Sequence, residues 1–218
     1  MALAIFDLDN TLIAGDSDHL WGDFLVARGL VDGEAYKATN DQFYQDYLNG
    51  RLDIIAYLRF ALAVLAEHDM DELATLHQQF MAEIIEPILL PKAFELLERH
   101  RKRGDFLLII TATNDFVTAP IAERLKVDDL LATCAEQRHG RYTGDVAGTP
   151  CYREGKVERL RHWLADTGHS LDGSHFYSDS HNDLPLLETV DTAIAVDPDP
   201  VLDREARERG WPVISLRS

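Results

Sequence analysis

Two carboxylates separated by one residue, Asp7 and Asp9, directly follow the short apolar run Leu3–Phe6. The run predicts a buried strand, and in an extended strand residues i and i+2 point the same way. Both carboxylates could therefore face the crevice where open α/β sheets bind ligands. Because two carboxylates this close repel one another, the pair needs a divalent cation with oxygen ligands, or a shared proton. Helix capping is an equally good explanation of the pair alone.

Three further polar sites occupy comparable positions along the chain. Thr111 follows the apolar run Leu107–Ile110, and its hydroxyl with nearby backbone N–H groups could bind a phosphate oxygen. Lys156 opens a predicted helix, and Asp179 and Asp183 follow a third strand-like run. Singly they could be a strand-end threonine, a solvated lysine and helix-capping carboxylates. Together with the first pair, they put three of four sites at the strand ends of one predicted sheet.

Strand and helix patterns alternate over most of the chain, which predicts a parallel sheet covered on both faces. Strands are predicted at Leu3–Phe6, Phe106–Ile110, His175–Tyr177, Thr192–Val196 and Pro212–Ser215. Helices are predicted at Lys92–Lys102, Phe116–Leu125, Lys156–Asp166 and Asp199–Glu208. Turn residues within Leu131–Asp145 predict a β-hairpin beside the sheet. The expected fold class is therefore α/β, with a Rossmann-like parallel sheet.

Residues 16–87 break the alternation because they contain helical patterns and no convincing strand. The patterns are Leu20–Leu30, Glu34–Tyr47, Ile54–Glu67 and Asp71–Ile84. An all-helical insertion straight after the first strand would lie over the strand ends as a cap. We therefore expect an α/β core domain of residues 1–15 and 88–218, and a helical cap domain of residues 16–87. The alternative is that these helices belong to a single α/β core.

The 218 residues carry a formal net charge of −17, which argues against nucleic acid or an anionic membrane as a partner. An anionic ligand would have to be attracted by a few local cations. The two cysteines, Cys134 and Cys151, offer no disulfide framework and are expected to be reduced. We find neither a signal-peptide pattern nor an apolar run of roughly 18 residues, and so expect a cytoplasmic protein without a membrane span.

The four sites stand in the order Asp-x-Asp, Thr, Lys, Asp-x-x-x-Asp, and in this the chain resembles the haloacid dehalogenase superfamily of phosphohydrolases. The most specific segments are Asp-Leu-Asp-Asn-Thr-Leu at 7–12 and Ser-Asp-Ser-His-Asn-Asp at 178–183. The resemblance covers nearly the whole chain, and the helical insertion lies where that superfamily has its C1-type cap. Ala112, Thr113 and Ser178 stand where relatives often have glycine.

The resemblance implies an enzyme, a phosphoric monoester hydrolase, and a role for each motif residue. Asp7 would be the nucleophile that forms an aspartyl-phosphate, and Asp9 would protonate the leaving group and then activate water. A second carboxylate favours phosphoryl chemistry, because a halide leaves without a proton. Lys156 would neutralise the phosphate and orient Asp7. Thr111 and Ala112 would bind the substrate's phosphoryl oxygens.

Mg²⁺ is the cofactor that the resemblance implies. Its ligands would come from Asp7, Asp9 and Asp179, whereas Asp183 would orient the metal's water ligands. Asn182 would bind the phosphate or the leaving group.

Within the superfamily the chain is most similar to the phosphoserine phosphatase branch, in which an acidic residue after the first motif contacts the substrate's ammonium group. Asp16 falls at that place, and it could equally cap the first cap helix. The branch's carboxylate-binding arginine would fall at Ala61, and the nearest arginine, Arg59, lies on another face of the helix. Either our register is wrong by two residues or the clamp is missing.

A missing clamp favours a small phosphorylated metabolite that has an amine and no acid. We therefore expect histidinol phosphate, from amino-acid biosynthesis, slightly ahead of phosphoserine. Its imidazole could stack on Trp21, Phe43, Tyr47 or Tyr57, for which core packing is the ordinary alternative. A phosphotransferase or mutase that passes the phosphoryl group from Asp7 to an alcohol is a further alternative.

Overall fold

The computed structural model describes residues 2–217, which contain one seven-stranded sheet and nine α-helices. The strands are β1 (Leu3–Phe6), β2 (Phe106–Asn114), β3 (Asp129–Arg138), β4 (Arg141–Ala147), β5 (His175–Ser178), β6 (Thr192–Val196) and β7 (Val213–Ile214). The helices are α1 (Ser17–Ala27), α2 (Gly33–Leu48), α3 (Ile54–Glu67), α4 (Met70–Phe80), α5 (Pro91–Arg103), α6 (Asp115–Leu125), α7 (Glu154–Thr167), α8 (Leu184–Leu187) and α9 (Pro200–Arg209).

The strands lie in the order β4-β3-β2-β1-β5-β6-β7, so the first strand of the chain is at the centre of the sheet. All pairings are parallel except that of β3 with β4, which form the predicted hairpin. Phe6, the last residue of β1, pairs with Ile109 on one side and Tyr177 on the other. The segments that follow β1, β2 and β5 therefore meet at one edge of the sheet.

Alternate residues of β1 enter two separate apolar layers, as expected for a strand with both faces covered. Ala4 and Phe6 pack in a cluster with residues of α1, α3, α4, α5 and α6. Leu3 and Ile5 pack on the opposite face, in a cluster with residues of α7 and α9. The predicted α/β class, with helices on both faces of a mainly parallel sheet, is confirmed.

The region 16–87 contains helices α1 to α4 and no strand among the nineteen elements described between residues 2 and 217. Helix α1 begins at Ser17, three residues before the predicted start, because the Asp16 side chain accepts hydrogen bonds from the Asp18 and His19 N–H groups. The fourth helix was predicted to reach Ile84, but it ends at Phe80 and continues as a π-helical turn, Met81–Ile85.

Apolar side chains of these helices, including Leu58, Leu62 and Phe80, join the same cluster as Phe6 and Ile109 of the sheet. The apolar layer on one face of the sheet thus continues into the helical segment. The division into a core of 1–15 and 88–218 and a cap of 16–87 stays a prediction.

Strand β2 is longer than predicted, since it continues past Ile110 to Asn114. Its pairing with β3 shifts register after Ile110 and resumes where Asn114 pairs with Thr133. Thr111 consequently lies inside this irregular stretch and not at the strand's end. The last strand is shorter than the predicted Pro212–Ser215 and comprises only Val213 and Ile214.

Both cysteines, Cys134 and Cys151, are free thiols. Of the helices described in residues 2–217, none combines the length and the apolar character needed to cross a lipid bilayer.

Candidate active site

Asp7 and Asp9 lie directly after β1, at the centre of the sheet. The N–H of Asp7 donates to the Tyr177 carbonyl at 2.9 Å, which extends the β1–β5 pairing by one residue. Asn10 then turns the chain with φ of 56°, in the left-handed region that asparagine tolerates better than most residues. The two aspartates are only 4% and 9% exposed, so their carboxyl groups are held away from bulk water.

Lys156 brings an ammonium group to this carboxylate pair from the first turn of α7. Its Nζ donates to Asp7 Oδ1 at 2.8 Å and lies 2.7 Å from Asp183 Oδ1. The lysine is 3% exposed, so the alternative of a solvated surface lysine is wrong for this chain. Ser178 Oγ also donates to Asp183, at 2.7 Å. Asp183 is therefore held by the protein's own donors, and its suggested role toward metal-bound water stays a prediction.

Asp179 reaches the same edge from the end of β5. The Thr11 hydroxyl donates to Asp179 Oδ1 at 3.2 Å, and the Asp179 N–H donates back to Thr11 Oγ1 at 3.1 Å. This reciprocal contact joins the loop after β1 to the loop after β5. The two acidic segments identified in the sequence are thus brought together, with Thr11 as their link.

The Asp9 carboxylate is fixed by donors from two other elements. One oxygen accepts from the Ser17 N–H at the start of α1, at 2.6 Å. The other accepts from the Thr113 hydroxyl at 2.8 Å and, more weakly, from Thr111 at 3.4 Å. The sequence did not predict a contact between Thr113 and Asp9, because that contact depends on the irregular pairing of β2.

Thr111 and Ala112, the predicted phosphate-binding residues, both line the pocket over Asp7 and Asp9. The expectation that Thr111 ends its strand is wrong, because the extra pairing at Asn114 carries β2 three residues further. The Thr111 hydroxyl accepts from the Thr113 N–H at 3.2 Å. Its contact with a phosphoryl oxygen stays a prediction.

Asn182 is engaged by protein groups on both of its amide atoms. Its Oδ1 accepts from the Tyr152 hydroxyl at 3.1 Å and from two guanidinium nitrogens of Arg153, at 3.0 and 3.1 Å. Its Nδ2 donates to the Tyr47 carbonyl at 3.3 Å. Arg153 also donates to the Gly50 carbonyl. Asn182 therefore connects the core to the end of α2, a role that sequence reasoning missed.

The charges at this edge of the sheet are not balanced. Of the four carboxyl groups here, those of Asp7 and Asp183 contact the Lys156 ammonium, whereas the hydrogen bonds found for Asp9 and Asp179 in the described chain come from neutral donors. Burial, partly offset by Lys156, raises the pKa of Asp7 to about 7. Burial and then the charges of Asp7 and Asp183 raise the pKa of Asp179 well above its usual value. Burial alone would lower the pKa of Lys156, but Asp183 and Asp7 outweigh it and raise that pKa.

A pocket opens from Asp7 and Asp9 toward helices α1, α2 and α3, and it contains about 540 Å³ of space not filled by atoms, including its mouth. Its walls are acidic and aromatic. They comprise Asp7, Asp9, Asp16, Asp18, His19, Asn40, Phe43, Tyr44, Tyr47, Leu52, Ile54, Tyr57, Thr111, Ala112 and Thr113. Of the suggested aromatic residues, Phe43, Tyr47 and Tyr57 lie in the wall, whereas Trp21 is buried in the core at 2% exposure.

Asp16 has the predicted place in this pocket and is also the N-cap of α1. Asp18, two residues later, was missed, because an acidic residue in the first turn of a helix is common for electrostatic reasons alone. It is 6% exposed, and its Oδ1 accepts from Asn114 Nδ2 at 3.2 Å. Burial raises the pKa of Asp18 to about 7, against a lowering by a hydrogen bond from Tyr57.

No arginine or lysine is among the wall residues of this pocket in the described chain. Arg59 is exposed and is not part of the wall, and Ala61 is buried one turn beyond Tyr57. The described wall therefore lacks a guanidinium or ammonium group of the kind that binds a substrate carboxylate.

The sequence matches the haloacid dehalogenase-like hydrolase family over residues 4–188, in the region that contains all four motifs. The chain belongs to this family. The resemblance expected from the motifs is thus confirmed. Among curated members, a histidinol-phosphatase of Neisseria meningitidis is 48% identical over 219 residues, 99% of each chain. A phosphoserine phosphatase of Mycobacterium tuberculosis is 35% identical and covers 99% of this chain and 71% of its own length.

Solved structures agree on the fold. A Bordetella pertussis protein of unknown function superposes with a TM-score of 0.93 at 46% identity, covering 99% of this chain and 98% of its own. A substrate-bound phosphoserine phosphatase superposes with a TM-score of 0.72 at 19% identity, covering 99% and 93%. At that identity the second match supports the fold alone.

Proposed function

We propose that the chain is a Mg²⁺-dependent phosphomonoester hydrolase that works through an aspartyl-phosphate on Asp7. The observation that carries the proposal is the buried ion pair of Asp7 with Lys156, 2.8 Å apart at the centre of the carboxyl edge of the sheet. One oxygen of Asp7 is held by the ammonium, which leaves the other for attack on phosphorus. Uncatalysed hydrolysis of phosphate esters is so slow that the site must lower the barrier by roughly 20 kcal/mol.

In the first step an Asp7 oxygen bonds to phosphorus while the bond to the ester oxygen breaks. Asp9 gives its proton to the departing alkoxide. In the second step Asp9 takes a proton from water, whose oxygen attacks phosphorus and releases Asp7 and inorganic phosphate. The fixed position of Asp9 supports this role, since Ser17 and Thr113 hold its carboxylate beside Asp7. Lys156 stabilises negative charge on the transferring group.

The donor set fits a divalent cation, because Lys156 pairs with only two of the four carboxyl groups and all the candidate ligands are oxygens. Asp7, Asp9 and Asp179 would hold Mg²⁺, and Asp183 would orient the water ligands of the ion. When bound, the ion supplies positive charge that lets the anionic phosphate approach the anionic Asp7. Thr111 and the Ala112 backbone would bind phosphoryl oxygens, and Asn182 would keep the neighbouring loop in place.

We also propose that α1 to α4 act as a cap domain, residues 16–87, over a core of residues 1–15 and 88–218. The pocket supports this, because these helices provide Asp16, Phe43, Tyr44 and Tyr57 while the sheet provides the carboxylates. The helices would then recognise the leaving group, and the residues at the sheet edge would carry out the phosphoryl transfer.

The pocket wall favours a small substrate that is cationic away from its phosphate. The carboxyl groups of Asp16 and Asp18 attract a cation, and the described wall has no arginine or lysine that would pair with a substrate carboxylate. The 48% identical relative is a histidinol-phosphatase, and histidinol phosphate has an amine without an acid. We place it ahead of phosphoserine, the substrate named for the 35% identical relative.

The test is release of inorganic phosphate from histidinol phosphate and phosphoserine by the wild type and by Asp7→Asn, each with Mg²⁺. We expect faster turnover of histidinol phosphate, and at least a thousandfold loss in Asp7→Asn with an unchanged circular dichroism spectrum. Substantial turnover by Asp7→Asn would contradict the assignment of Asp7 as the nucleophile. Phosphate transfer to added alcohols in excess of phosphate release would identify a phosphotransferase instead.

A further inference from the structure

One buried carboxylate of the pocket, that of Asp18, takes no part in the proposed phosphoryl-transfer steps. Asp18 is 6% exposed and lies in the first turn of α1, in the wall that also contains Asp9. Asn114 Nδ2 donates to it at 3.2 Å, and the Tyr57 hydroxyl donates to it as well. Asn114 comes from β2 and Tyr57 from α3, so three separate elements hold this carboxylate at the pocket surface.

Both donors to Asp18 are neutral, and no lysine, arginine or histidine within residues 2–217 forms an ion pair with it. A buried carboxylate that receives only neutral donors lacks a counter-charge, which is costly unless a partner supplies one. The wall next to it contains no lysine or arginine in the part of the chain described. The missing positive group can therefore come from the ligand.

The surroundings of Asp18 suit a flat ligand group. Tyr57 and Phe43 meet edge to face with their ring centroids 5.4 Å apart, and Tyr44 stacks on His19 at 4.6 Å. All four line the pocket. Aromatic walls beside a carboxylate match a planar cationic ring, whose faces pack on the side chains while its N–H edge meets the charge.

Asp16 differs from Asp18 in its setting. It is only partly buried, and its Oδ1 accepts the N–H groups of Asp18 and His19 at 3.1 and 2.9 Å. We propose that Asp18 and Tyr57 form a specificity subsite that binds the N–H edge of a protonatable azole ring, while Asp16 binds the ammonium of the same ester. This inference rests on the proposed function and narrows the substrate class to an amino-azole phosphate monoester without a carboxylate.

The experiment compares three phosphate esters that carry two, one or none of the two cationic groups in question. Histidinol phosphate has the ring and the amine, O-phosphoethanolamine has the amine alone, and p-nitrophenyl phosphate has neither a cationic ring nor an amine. In Asp18→Asn we expect kcat/KM for histidinol phosphate to fall about 10- to 100-fold, mainly through KM, as for loss of a hydrogen bond to a charged group. The loss for O-phosphoethanolamine should be at least fivefold smaller.

Asp16→Asn should instead lower kcat/KM for histidinol phosphate and for O-phosphoethanolamine to similar extents. The matched control is Asp32→Asn, which removes the same charge from an exposed carboxylate that makes no cap hydrogen bond. It should leave all three esters unaffected. If Asp18→Asn does not fold, Tyr57→Phe decides, because it keeps the ring and loses the hydroxyl; we expect a several-fold loss confined to histidinol phosphate.

If Asp18→Asn lowers kcat/KM equally for all three esters, or equally for histidinol phosphate and O-phosphoethanolamine, the assignment of Asp18 to the ring is overturned. Calorimetric binding of histidinol, the dephosphorylated product, separates this inference from the catalytic proposal. Weaker binding to Asp18→Asn than to wild type supports the subsite even if no ester is hydrolysed. Failure of the wild type to release phosphate from any ester would refute the proposed function alone.

Discussion

At the scale of single residues, the site combines groups that are individually unfavourable to bury. Lys156, at 3% exposure, contacts Asp7 and Asp183 at 2.7–2.8 Å. Each ion gives up its hydration, and the mutual attraction in a poorly screened site offsets that loss. Removing the lysine would leave two buried carboxylates unpaired, a change that costs about 3–5 kcal/mol in comparable pairs. Burial of these charges is therefore consistent with a site that binds an anionic ligand together with a cation.

Asp18 gives a residue-scale prediction on stability and pH. Its pKa in the folded chain is about 7, above the ordinary 3.8 of an unfolded aspartate. Between these values the folded state binds the extra proton, so the contribution of Asp18 to stability is greatest at low pH and declines as pH rises toward 7. Asp18→Asn lacks this titration. We expect it to be more stable than wild type at pH 8 by up to about 4 kcal/mol, with the gain shrinking toward pH 4.

Urea unfolding at pH 4, 6 and 8, without divalent cations, measures this difference. Asp32→Asn serves again as the control, and the difference between its free energy of unfolding and that of the wild type should not grow with pH. A constant difference between Asp18→Asn and wild type across the range would show that the Asp18 carboxyl is not held in a protonated state by the fold.

At the scale of elements, α7 has to approach the sheet closely enough for Lys156 to reach Asp7. Gly155 permits this approach, since a Cβ at that position would overlap the carbonyl oxygen of Pro150. We predict that Gly155→Ala forces the first turn of α7 outward and destabilises the chain by about 1–3 kcal/mol, the usual range for overpacking against a rigid neighbour. Phosphatase activity should fall together with the melting temperature, because Lys156 moves with the helix.

Gly33→Ala is the paired control, as Gly33 also lies in the first turn of a helix and a Cβ there would find its nearest neighbour at 3.8 Å. We expect it to be neutral or slightly stabilising, since alanine is the better helix former. A Gly155→Ala chain as stable and as active as Gly33→Ala would contradict the close-approach argument.

The elements also explain what the sequence could and could not predict. Asp7, Asp9 and Asp179 follow strands β1 and β5 as the sequence predicts, because short apolar runs determine where these strands end. Thr113 and Arg153 were missed, since the first depends on a register shift in β2 and the second on a contact with Asn182 29 residues away. Such long-range pairings leave no periodicity in the chain. Asp18 was missed for a different reason, because its sequence pattern is the same as that of an ordinary helix start.

At the scale of the whole molecule, a net charge of −17 repels any anionic substrate, yet the acidic residues gathered at one sheet edge suit a cation. A cation that binds the folded chain alone stabilises it by RT ln(1 + [L]/Kd), which is about 2.7 kcal/mol at a hundredfold excess over Kd. We therefore predict that Mg²⁺ raises the melting temperature of the wild type by several degrees and that EDTA reverses the rise. Asp179→Asn should lose most of this response, since it removes one of the carboxylates that face Asp7. Asp203→Asn, which alters an exposed pair with Arg207, should keep it in full. If both variants respond to Mg²⁺ as the wild type does, the ion acts on the acidic surface at large and not at the strand ends.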